Sequence, residues 1–174
     1  MTGAGDLIAV AALACVAGAA IADLRHFEIP DGWSIAVAAL FIASAVIAPS
    51  PEPWWAHAAA GATVFAAGAL LFSRGWLGGG DVKLLAACAV WSGFAGLPSL
   101  LLGTAFAGGM LALVAVIGRR LARDATYPGL RRGGPLPYAV AILGGAALLA
   151  TALPTGARQA IVRYSAPTPK TAPS

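Results

Sequence analysis

Not one charged residue stands between Lys83 and Arg119, and between Asp31 and Arg74 the only one is Glu52. Runs this long and this apolar constrain the fold more than anything else in the chain. A bilayer core needs about 20 apolar residues for each helical crossing. Lipid offers no partner to an unpaired backbone N–H or C=O, so only helices and closed barrels can span it. A barrel needs strands that alternate apolar and polar residues, and these runs do not alternate. Composition agrees: 59% of the 174 residues are hydrophobic and 10% are charged, against roughly 25% charged in an ordinary soluble domain. The expected class is an all-α polytopic membrane protein.

Six spans are predicted, at roughly 5–22, 33–48, 55–73, 82–97, 99–117 and 135–153. They form one six-helix membrane domain over residues 1–154, followed by a disordered tail at 155–174. The fourth span is the weakest, because Gly93, Gly96 and Pro98 interrupt it. Met1–Asp6 carries no Lys or Arg, so the first apolar stretch is taken as a retained span rather than a removable signal. The pairs Gly108-Gly109 and Gly144-Gly145 are expected at tight helix crossings, since small residues let backbones approach in lipid. Cys15 and Cys88 lie inside apolar stretches and form no CxxC, which argues against a disulfide framework or a zinc site. They read as small buried hydrophobes.

Basic residues orient the bundle. Arg25, Arg74, Lys83, Arg119, Arg120, Arg123, Arg131 and Arg132 all fall in loops on one side, and the two short loops on the other side hold none. The positive-inside rule puts the first set in the cytoplasm and both termini outside. Arg158, Arg163 and Lys170 in the tail count mildly against this. The net charge of +4 suits an anionic membrane leaflet and gives no reason to expect nucleic acid.

The acids are few: Asp6, Asp23, Glu28, Asp31, Glu52, Asp81 and Asp124. Two of them lie at the lipid boundary on the same side. Asp23 closes the first span and Asp81 opens the fourth, so two whole spans separate them and the chain returns to the same face. An acid within a span costs about 2.5–3.5 kcal/mol on insertion scales. Each has a simple structural explanation. Asp81 can cap the amino end of its helix, and Asp23 can be a loop acid near Arg25. Together, at one depth, they also suit peptide hydrolysis. One ionised carboxylate takes a proton from water, while the other, protonated, donates to the carbonyl oxygen and then to the leaving amine. Like charges a few Å apart do not readily both ionise, so such a pair shares one proton. Gly78, Gly79 and Gly80, with no Cβ, let an extended peptide come close; an ordinary flexible loop is the plain alternative.

The two stretches "DLRHFEIPD" (Asp23–Asp31) and "LGGGDVKLLAA" (Leu77–Ala87) resemble the motifs of bacterial type IV prepilin peptidases, membrane aspartic proteases of the GxGD class. Asp23, Ile29, Pro30 and Asp31 match the family's first motif. Gly78, Gly80, Asp81, Lys83 and Leu84 match its second. "GGPLPYAVAI" (Gly133–Ile142) resembles the motif before its last span. The resemblance implies that Asp23 and Asp81 are the catalytic aspartates, supported by Gly78, Gly80 and Lys83, with Lys83 tuning or placing Asp81. The plain alternative for Lys83 is a snorkelling side chain. The resemblance also implies prepilin or pseudopilin substrates, whose short basic leader is cut at the cytoplasmic face of the inner membrane. Glu28 and Asp31, beside Asp23, are candidates to attract that leader.

The chain departs from the larger branch of that family, whose members carry paired CxxC motifs that bind zinc and also N-methylate their product. It is similar to the short form serving Tad/Flp pili, which implies no metal and no cofactor and leaves N-methylation in doubt. Two other classes of function compete. A proton-coupled transporter would place its acids near the midplane between repeats, and no internal repeat is evident. A non-catalytic pilus or secretion scaffold would have no need of both acids.

Overall fold

A computed structural model describes residues 4–47, 52–121 and 136–152. All the regular structure among them is helical: α1 (Ala4–His26), α2 (Asp31–Ile47), α3 (Trp54–Ser73), α4 (Gly79–Leu121) and α5 (Tyr138–Ala152). The tail and the arginines at 123, 131 and 132 lie outside the described residues.

Local chemistry sets the helix ends. Phe27 takes a left-handed conformation (φ 54°) and its N–H donates to the Asp23 carbonyl at 2.8 Å, closing α1. Pro30 then precedes the first residue of α2. Gly75 (φ 72°) ends α3 in a Schellman motif: Gly75 N–H donates to Phe72 O and Trp76 N–H to Leu71 O.

Five helices rather than six are found among the described residues, and the difference lies in α4. The fourth and fifth expected spans are joined in one element whose backbone leaves the helical region at Gly93 (φ 57°, ψ −173°). The two arms run in opposite directions. In the first arm, Val82 lies against Gly68 and Val90 against Gly61, so it runs antiparallel to α3. In the second, Gly96 lies against Leu149, Gly103 against Gly145 and Gly108 against Ala141, so it runs antiparallel to α5. The break is thus a reversal of the chain.

That reversal strands carbonyls at the end of the first arm, where a helix cannot satisfy its last acceptors. Ser92 Oγ donates to Ala89 O at 2.9 Å, and the buried His57 lies 2.9 Å by Nδ1 from Val90 O. Trp91 Nε1 donates to Val37 O at 2.9 Å, tying the first arm to α2. The deepest large side chains are Leu84, Leu100 and Val37.

Of the expected glycine crossings, Gly144 meets Ala107 and Gly145 meets Thr104, so both are needed between α5 and the second arm. Gly109 is the exception: a side chain there would meet open space.

The outside is as apolar as the inside. Leu102, Phe106, Met110, Leu113, Val114 and Ile117 of the second arm are all exposed. In water such a surface is a liability; in a bilayer it is the ordinary solvent-facing side. α1, α3 and most of α4 are long and apolar enough to cross a membrane, and α2 and α5 are shorter apolar helices. Exposed Trp54 and Trp55 at one end of α3 and Trp76 beyond the other suit the two headgroup layers, where tryptophan is enriched. The protein is a membrane protein.

Candidate active site

The α4 N-terminus is built around its acid. Gly78 precedes the helix and its carbonyl accepts the Val82 N–H at 3.1 Å. Asp81, the third residue of α4, reaches back and accepts the Gly78 N–H, as an acid at this position does in a capping box. A Cβ at position 78 would lie 2.6 Å from Asp81 Oδ2, so only glycine leaves room for this carboxylate. The other oxygen, Oδ1, is buried and has no hydrogen-bond partner.

Asp23 sits one turn inside the end of α1 and is 5% exposed. Its Oδ2 accepts the backbone N–H of Ala139, the second residue of α5, at 2.9 Å. Each acid therefore meets a helix N-terminus, where unpaired amide hydrogens and the helix dipole favour an anion. The two carboxylates are close enough for the charge of Asp23 to act on Asp81.

The remaining motif residues surround this pair. A Cβ at Gly80 would fall 2.9 Å from Ile29 Cβ and 3.3 Å from Ile29 O, so glycine lets the link before α2 lie directly on the start of α4. Lys83 turns away from Asp81 to Asp31, with its Nζ donating to Oδ1 at 2.7 Å and to Oδ2 at 2.8 Å. A Cβ at Gly79 would lie 3.4 Å from the Phe72 ring of α3, an ordinary contact. His26 and Glu28 are exposed at the same rim.

Asp23, Asp81, Gly78, Gly80 and Lys83, named from sequence, thus converge on one end of the bundle. Two members of the cluster had no sequence role of this kind. Ile29 is the surface that Gly80 accommodates, and the Ala139 amide is supplied from α5. The first lies inside the quoted "EIPD" stretch and the second inside "GGPLPYAVAI". Each was part of a visible motif, but neither pairing is local in sequence. Of that last motif, Gly133–Pro135 lie outside the described residues. No group of three or more His, Cys, Asp or Glu that could hold a metal ion occurs among the described residues.

A family model for the type IV leader peptidase family matches residues 7–113, a segment carrying both acids and both motifs. The chain belongs to the type IV leader peptidase family. No curated protein matches it, and no solved structure does. Membership in this family makes the chain a peptidase, and the matched segment of this leader-peptidase relative runs from α1 into the second arm of α4. It stops short of α5, the helix whose N-terminus holds Asp23.

Proposed function

We propose that this protein is a membrane-embedded aspartic endopeptidase that removes the short basic leader from prepilins or pseudopilins at the cytoplasmic membrane face. The observation that carries the reading is the pairing of Asp23 with Asp81. Two acids borne by helices far apart in sequence meet at one end of an apolar bundle. One oxygen of each is anchored by a backbone N–H, and Asp81 Oδ1 has no partner.

In the proposed reaction, one carboxylate is ionised and takes a proton from a water molecule. The water oxygen attacks the scissile carbonyl carbon. The second carboxyl, protonated, gives its proton to the carbonyl oxygen. Collapse of the tetrahedral intermediate breaks the C–N bond: the leaving amine takes a proton from the acid that gained one, and a hydroxyl proton of the intermediate returns to the other carboxylate. Such acid–base help typically contributes about 10²–10⁴-fold. With the reversal at Gly93 counted, the chain makes six passes. The end of the bundle bearing Arg25, Arg74 and Lys83 faces the cytoplasm, and both termini lie outside.

The hydrogen bonds also favour a second reading, in which both acids serve only as helix caps. Co-expression with a tagged Flp-type prepilin, in a host lacking its own peptidase, separates the two. Wild type is compared with Asp23→Asn and Asp81→Asn at matched membrane insertion. Asn retains a capping oxygen but does not ionise. Cleavage by wild type and none by either variant is expected. Cleavage that survives in one variant reduces that acid to a cap.

A further inference from the structure

The two acids are carried by helices that scarcely touch. α1 packs on α2 and α5, and α4 packs on α2, α3 and α5, but α1 and α4 share no extended contact. The spacing of Asp23 and Asp81 is therefore set through intermediates. On one side the intermediate is α5, whose first turn holds Asp23. On the other it is the link from α1 into α2.

That link is held at each end. At its start, Phe27 N–H donates to the Asp23 carbonyl. In its middle, Ile29 lies against Gly80, one residue before Asp81. At its end, Asp31 receives Lys83 Nζ on both carboxylate oxygens. Residues two apart on a helix do not share a face, so α4 directs Asp81 and Lys83 to different sides. It offers Asp81 to Asp23 and Lys83 to the helix that follows Asp23.

Resting on the peptidase reading above, we propose that the Lys83–Asp31 pair is a latch that sets the spacing of the two acids across the mouth of the bundle. Lys83 and Asp31 are then positioning residues. With Lys83 seated on it, Asp31 is neutralised and is no anchor for a basic leader. The side chains are 46% and 60% exposed. Water screens a pair of this kind, and its loss is a modest effect of about fivefold.

The test uses the full chain in membranes, with prepilin cleavage measured over a range of substrate levels. Lys83→Gln and Asp31→Asn are each expected to lower kcat about fivefold with KM unchanged. The reversed pair, Lys83→Asp with Asp31→Lys, is expected to recover most of the loss. Unchanged rates in the single variants overturn the latch. So does a loss that the reversed pair fails to recover, or one that appears in KM, which would assign the residues to leader binding. A second measurement needs no activity. With Cys15→Ala and Cys88→Ala as background, Asp23→Cys and Asp81→Cys are joined by a short bis-maleimide, which alkylates both thiols, with and without Lys83→Gln. The cross-link is expected to fall severalfold when Lys83 is lost, and an unchanged yield overturns the proposal. If wild type cleaves no prepilin, the peptidase reading fails, and the cross-link still decides the latch.

Discussion

A methyl group at position 78 would sit 2.6 Å from Asp81 Oδ2, a distance that real carbon atoms do not tolerate. Gly78→Ala must therefore push this carboxylate off the Gly78 N–H that it accepts. The backbone at Gly78 is not left-handed and admits alanine, and alanine caps a helix less well than glycine, so insertion is expected to hold with a small loss of stability while prepilin cleavage falls far more. A displacement of about 1 Å in a reacting group can cost on the order of 10²-fold, and a loss of that order is expected in initial rates at matched expression. Wild-type rates in Gly78→Ala would mean that the carboxylate has another acceptable place. At this scale the residues that gather are legible in the sequence, and their packing partners are not. Sequence reads Gly78 and Gly80 as letting a substrate backbone approach, and the structure adds a second reason for each. Their neighbours prove to be Asp81 and Ile29, from inside the protein. Sequence offers Lys83 as a snorkelling side chain or as one that tunes or places Asp81, and its Nζ meets Asp31. Local spacing reveals which residues share a helix turn. It does not reveal which side chain from another helix arrives there.

Among the elements, α4 departs most from the sequence reading. The weakness at Gly93, Gly96 and Pro98 was visible, and the division into 82–97 and 99–117 placed a boundary a few residues late. Gly93 makes the turn, with a positive φ and extended ψ open essentially to glycine alone. Gly96 is instead packed against Leu149. A side chain at position 93 would meet Glu52 Oε2 at 2.6 Å and the His57 ring at 3.1 Å. Backbone strain of this type costs about 1–3 kcal/mol, and Gly93→Ala is expected to lose at least that much. Thermal unfolding of the purified protein in detergent measures it, and an unchanged midpoint would show that the reversal tolerates a Cβ. His57 is the companion residue that sequence reading passed over. Nothing local distinguishes a histidine in an alanine-rich helix, and its partner, the Val90 carbonyl, exists as an acceptor only because the next arm turns back.

For the molecule as a whole, two independent lines of reasoning meet at one end. The sequence places Arg25, Arg74 and Lys83 on a common side by counting spans. The packing puts them on the end where Asp23, Asp81 and Ala139 gather, because α1 and α3 finish there while α2, α4 and α5 begin there. The reversal at Gly93 brings Arg120 to that end too, since Gly108 is already level with Ala141. Glu52 and His57 mark the opposite end. Had α4 run straight on, its arginines would have emerged on the other side, and the count of basic loops would have contradicted the packing. Counting loops and following the packing therefore gather the same basic residues at one end, even though one connection between the expected spans is a single glycine. In the proposed orientation the basic loops are retained in the cytoplasm and the acids stand at that face, within reach of a leader on the cytoplasmic side. Reporter fusions check this directly. Alkaline phosphatase is expected to be active after Ser50 and after Ser174, and a fluorescent protein that folds only in the cytoplasm is expected to light up after Gly75 and after Ala125. The reverse pattern would place the acids on the outer face, where no uncut basic leader is presented, and would remove the prepilin as substrate while leaving the geometry of the two carboxylates intact.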